Sequence, residues 1–119
     1  MDADVAAFFL AEPRGVAVAP AVLAAVARLG PHEVRVSRSQ VAFRRRRGFA
    51  YLWRPGQYVA SDVPAVLSVA LPRELASPRW KQVVHPSPRV WMHHLELSAP
   101  EEVDHEVEGW LAEAYAAAG

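Results

Sequence analysis

Four consecutive arginines, Arg44, Arg45, Arg46 and Arg47, stand between Phe43 and Phe49, with Arg35, Arg38 and Arg54 close by in sequence. Guanidinium groups make charge-assisted, two-pronged hydrogen bonds to phosphate. A basic hairpin tip beside Tyr51, Trp53 and Tyr58 therefore suits a single strand or a phosphate backbone. Together with Arg79 and Lys81, Arg38 and Arg44 to Arg47 form a first candidate binding set. Its partner would be nucleic acid, another phosphate-bearing molecule or an acidic protein. The structural alternative is a solvated hairpin end, or outward arginines paired with acids elsewhere in the chain.

A second candidate set comes from the stretch 72–89, which is dense in Arg, Trp and His for a connection. Arg73, Arg79, Trp80, His85 and His93 would line a small-ligand or enzyme site on a loop held by a rigid scaffold. His93 and His94 are neighbours on a predicted strand, so their side chains take opposite faces and cannot both serve one metal ion. His85, His93 or His94 with Glu74 or Glu96 would supply a general base or two metal ligands, but the spacing matches no metal or triad pattern. The structural alternatives are a buried, hydrogen-bonded core histidine at His93, which shares a face with Trp91 and Leu95, and a core plug at Trp80. No Gly-x-Ser-x-Gly elbow, Gly-rich phosphate loop or close carboxylate pair outside the C-terminal helix is present. With no Cys in the chain, thiolate nucleophiles, disulfides and Cys-based zinc sites are excluded. No motif specifies a reaction, so no catalytic residue, metal or cofactor is expected, and a binding module is the leading reading.

These residues need a scaffold, and 119 residues at 52% hydrophobic and 22% charged fit one globular domain over 1–119. Asp2 or Asp4 can cap a short first helix carrying Val5, Phe8 and Phe9, ended by Pro13 and Gly15. A second helix is expected from Pro20 through Val22, Val26 and Leu29 to a stop at Gly30-Pro31. From residue 33 the apolar period drops to two. Strands are expected at Val34–Val36, Val41–Phe43, Phe49–Trp53, Ala65–Leu71 and Val90–Leu97, with a β-hairpin over 40–54. Four prolines between 72 and 89 predict a loop with at most one helical turn. Ser98 and Glu101 have capping-box spacing, and Val103, Val107, Trp110, Leu111, Ala114 and Ala118 form one stripe of a last helix. The expected fold is α+β: a mainly antiparallel sheet of about four to five strands, two N-terminal helices and one long C-terminal helix.

The formal net charge is zero, yet the charges are segregated. Residues 33–95 hold ten Arg and Lys81 against Glu33, Asp62 and Glu74, a net of +8, while residues 96–119 hold seven acids and no Lys or Arg. An acidic helix on one copy facing the basic hairpin of another would make a homodimer, a third reading. The longest uncharged stretch, Gly15 to Ala27, has 13 residues and contains Pro20, too short to span a hydrocarbon core of ~30 Å, so no membrane partner is expected. Asp2 and Asp4 stand where a secretory signal would carry positive charge, which makes the cytoplasm the expected location.

Four segments resemble a bacterial family of small domains, domain-of-unknown-function family 5655: Ser37–Arg44, Ser77–Lys81, Pro86–Leu97 and Glu106–Tyr115. The resemblance runs over roughly residues 30–117, and the positions that carry it are Ser39, Phe43, Pro78, Arg79, Pro88, Trp91, His93, Trp110 and Tyr115. It implies an α+β domain with no known cofactor and supplies no catalytic residue.

Overall fold

The computed structural model describes residues 2–119. Helix α1, Ala3–Phe8, starts where the Asp2 carboxylate accepts from the Asp4 N–H at 2.8 Å and the Val5 N–H at 3.3 Å. Helix α2 runs over Pro13–Ala27, longer than expected. Pro13 opens it, in the first turn where a missing N–H is harmless, and Pro20 lies inside it. An interior proline costs about 3 kcal/mol. Burial of Val18, Ala19, Val22, Ala25 and Val26 outweighs that, since each buried valine contributes about 1.5–3 kcal/mol. After Arg28 the chain turns at Gly30, whose φ of 137° favours glycine.

Six antiparallel strands follow: β1 Glu33–Val36, β2 Val41–Arg44, β3 Gly48–Trp53, β4 Ala65–Leu71, β5 Gln82–Ser87 and β6 Val90–Leu97. Their order in the sheet is β1-β2-β3-β4-β6-β5. Strand β5 corrects the expected loop over 72–89. It is an edge strand, and its Pro86 falls in a register irregularity between Val84 and Ser87, where no ladder N–H is required. The last helix, α3, spans His105–Ala117 and is capped by Asp104, which accepts from the Val107 N–H at 3.1 Å. Ser98 is therefore not its cap. The Ser98 and Ala99 N–H groups instead donate to Glu102, which fixes a short 3-10 turn at Pro100–Glu102.

The helices share one face of the sheet. Phe43, Leu52, Leu67, Val69, Leu71, Leu95 and Leu97 form a core with Val107, Leu111 and Ala114 of α3 and with the buried stripe of α2. Residues that alternate with these on the inner strands, Tyr51, Trp53, Ser68, Met92 and His94, take the opposite face. Among the described residues, no helix is long and apolar enough to cross a membrane.

Candidate functional site

Strand β4 reads Ala-Val-Leu-Ser-Val-Ala-Leu, and its one polar side chain, Ser68, is 3% exposed. A buried hydroxyl needs partners. Ser68 finds them through strand register, which sets it beside Tyr51 of β3 on one side and His94 of β6 on the other. The Trp53 Nε1–H donates to Ser68 Oγ at 2.8 Å, and Ser68 Oγ lies 2.6 Å from His94 Nδ1. Indole N–H can only donate, so Ser68 accepts from Trp53 and its own proton is free to go to His94 Nδ1. With Ser68 as that donor, the neutral imidazole carries its proton on Nε2. Burial, and secondarily the neighbouring His93, push the His94 pKa below the usual histidine value, which favours this neutral form.

This relay floors a cavity of about 530 Å³ lined by Ser39 and Gln40 of the β1–β2 turn, Tyr51, Trp53, Tyr58, Ser68, Met92 and His94. Tyr58, beyond the 3-10 turn at Pro55–Gln57, packs against Trp53 with ring centroids 6.1 Å apart, and the His94 ring stands edge-on to the same indole at 6.1 Å. Gly48 shapes this wall. A Cβ there would collide with the Tyr51 hydroxyl, so the glycine is what lets the phenol lie back along β3. A second cavity of about 380 Å³ adjoins the first, sharing Trp53 and His94 and bounded further by Val59, Lys81, Gln82 and Glu96. The set has the make-up of a ligand site: aromatic walls with a few convergent polar groups.

The arginine run lies elsewhere. Arg45 donates to the Tyr115 carbonyl at 2.8 Å and stacks on the Tyr115 ring at 4.0 Å, Arg47 donates to the Ala117 carbonyl, and the Arg46 backbone N–H reaches Ala118. The β2–β3 turn therefore caps α3, placing cations at the negative end of the helix dipole. The acids of α3 are matched by other arginines. Arg28 pairs with Glu108, Arg73 makes a two-pronged bond to Glu113 at 2.9 Å, and Arg79 reaches Asp104 at 3.0 Å and Glu106 at 2.9 Å. The Arg73 and Arg79 guanidiniums gain affinity for their protons, and hydrogen bonds from Arg79, Arg28 and Arg73 hold Asp104, Glu108 and Glu113 below the usual carboxylate range. Among the described residues, no acid pairs with Arg38, Arg44 or Lys81.

The second candidate set is brought together in part: Trp80 packs on His93 with ring centroids 4.9 Å apart and borders a separate cavity of about 370 Å³ over the 74–83 segment. His93 is sealed at 0% exposure: its Nε2 accepts from the Leu75 N–H at 3.0 Å and its Nδ1 donates to the Trp91 carbonyl at 2.9 Å. Trp80 is a core plug, its indole donating to the Leu75 carbonyl at 3.0 Å and its ring packed 4.1 Å from that of Trp110. Arg73 and Arg79 are engaged with α3, and His85 stacks on Trp91 at 3.9 Å near the sheet edge. Among the described residues, no group of three or more His, Cys, Asp or Glu side chains is placed to hold a metal ion.

Tyr51, Trp53 and Tyr58 stand out in the sequence as binding aromatics, whereas Ser68, Gln40 and Met92 become cavity residues only in the fold. The signal for Ser68 was present, as the lone polar residue in the apolar run 65–71. Of the positions that carry the family resemblance, Ser39 lines the cavity, while Arg79, Trp110, Tyr115 and His93 tie α3 and the 72–80 segment to the sheet. No match was found among curated proteins or among solved structures. One family model matches residues 6–118, reaching further toward the N-terminus than the resemblance and taking in the second half of α1 and all of α2. The chain thus belongs to the family described as Domain of unknown function (DUF5655).

Proposed function

We propose that the domain is a binding module whose site is the helix-free face of its sheet, and that its ligand is a flat ring system carrying a hydrogen-bond acceptor. The observation that carries this reading is the Trp53–Ser68–His94 relay under a cavity of about 530 Å³. Tyr51, Trp53 and Tyr58 offer stacking surface, and the relay leaves the His94 Nε2–H as a fixed donor for a ring carbonyl or ring nitrogen. In this reading the arginine hairpin is structural at Arg45 and Arg47, and the ligand-facing chemistry is mostly uncharged.

The test is a two-dimensional NMR titration of the indole and imidazole N–H signals with uracil, adenine and nicotinamide as probes. At least one probe should shift the Trp53 indole and His94 imidazole signals and leave those of Trp80 and Trp110 in place. Loss of the shift in Trp53→Ala and His94→Ala would support the site. Shifts confined to the helix-covered face, or none with any ring, would overturn it.

A further inference from the structure

We infer that the ring bound on the open face is a base of a single-stranded nucleic acid, with neighbouring bases in the two adjoining cavities and the backbone along the cations beside them. This inference rests on the ring-binding reading above and deepens it. Two compartments of about 530 and 380 Å³ share one wall, made of Trp53 and His94. Each lies within the size range of small-ligand pockets. A single small ring would leave one of them unused, whereas successive bases of a strand would stack to either side of the shared indole. Aromatic rings accept any base face in this way, which is how open sheets bind unpaired strands.

Charge selects a polyanion over a neutral ring. Of the cations, Lys81 borders the second cavity together with one acid, Glu96; Arg38 precedes Ser39 and Gln40 of the first, and Arg44 is two residues beyond Ala42, which pairs with Tyr51 across the ladder. None of the three is engaged by an acid among the described residues, whereas the acids of α3 are taken up by Arg28, Arg73 and Arg79 on the other face. Aromatic walls with Arg38, Arg44 and Lys81 nearby, and Glu96 as the one acid among the lining residues, suit a base held inside and a phosphate held outside. The exposed rings of Tyr58 and Val59's side chain at the cavity edges add apolar surface for a chain that continues past one nucleotide. Duplexes are disfavoured, because a flat face reaches bases only when they are unpaired.

The experiment is fluorescence anisotropy with labelled dT8, dA8 and a duplex of the two, in competition with thymidine monophosphate, at several salt concentrations. We expect dT8 and dA8 each to bind at least tenfold tighter than the mononucleotide, and tighter than the duplex. Affinity should fall with salt on a log–log slope of about −2, as for three neutralised phosphates on a single strand. Arg38→Ala and Lys81→Ala, both on the surface, should each reduce that slope by about 0.7 without changing the thermal midpoint. Equal affinity for mononucleotide and dT8, salt-independent binding, or duplex binding as tight as dT8 would each overturn the inference. If the free rings still shift the Trp53 and His94 signals in that case, the ring-binding site survives and only its polymeric ligand is lost. If neither rings nor oligonucleotides shift those signals, both fall together.

Discussion

His93 and His94 are adjacent in the chain and belong to two different environments. His93 faces the helices, is fully buried and spends both ring nitrogens on backbone groups of the fold. His94 faces away from them, is half-buried and spends one nitrogen on Ser68, leaving the other at a cavity wall. The same division runs through the whole sheet. On the helix-covered face, Arg73 and Arg79 of the 72–80 segment are used to hold α3 and its cap. On the open face, polar groups are arranged among aromatic rings with hydrogen-bonding capacity left over. One strand's alternation is enough to separate a structural histidine from a ligand-facing one.

The sharpest way to break that comparison is to remove each imidazole in turn. His93→Ala should cost about 3–4 kcal/mol in urea denaturation, through an orphaned Leu75 N–H and a cavity beside Trp80. His94→Ala should cost about 1 kcal/mol and abolish ring binding. Comparable stability losses in the two variants would refute the division of faces. Ser68→Ala comes next, at about 1–2 kcal/mol, because it strands the Trp53 indole N–H and His94 Nδ1 together. Nitrogen-15 spectra should then show the His94 proton no longer fixed on Nε2, and an unchanged tautomer would disprove the relay.

Arg45→Ala sharpens the contrast from the other side. Losing the bond to the Tyr115 carbonyl and the stack on its ring should lower stability by about 1 kcal/mol while leaving uracil binding intact. A binding defect with no stability change would return the arginine hairpin to the ligand site. The smallest effect is expected from pH. Burial lowers the His94 pKa, so folding favours the neutral ring. The stability it contributes is complete above the ordinary value of 6.5 and is lost as pH falls below that. Asp104, Glu108 and Glu113 are lowered by their arginines, so their contribution is present above their ordinary values of 3.8 to 4.5 and disappears as pH falls further. Thermal midpoints against pH should show two separate steps, and His94→Gln should remove the upper one only.

Much of the fold was legible before any coordinates. The alternation of Val34/Val36, Val41/Phe43 and Trp91/His93/Leu95/Leu97 marks strands, and the Val107–Ala118 stripe marks α3; in β6 and α3 the period follows from one-sided burial. What misled was proline. Pro20 reads as a helix start and sits inside α2, and Pro86 reads as a loop and sits in an edge strand, since tertiary burial in one case and an unpaired position in the other remove the usual cost. The homodimer reading started from a free acidic helix and a free basic hairpin. Within this chain Arg28, Arg73 and Arg79 already engage the acids, and Arg45 and Arg47 already engage the helix end, so the charges that would have joined two copies are largely occupied.

By itself the sequence determined the alternation of its strands, the amphipathic last helix, the absence of cysteine chemistry and the segregation of its charges. Those are local properties, set by residue type and spacing. Tertiary structure alone decided which arginines are already engaged and where polar groups converge. Trp53, Ser68 and His94 are separated by 15 and 26 residues in the chain, and only the register of three neighbouring strands brings them within hydrogen-bonding distance. Register depends on how all the strands bury one common face, and no single segment contains that information.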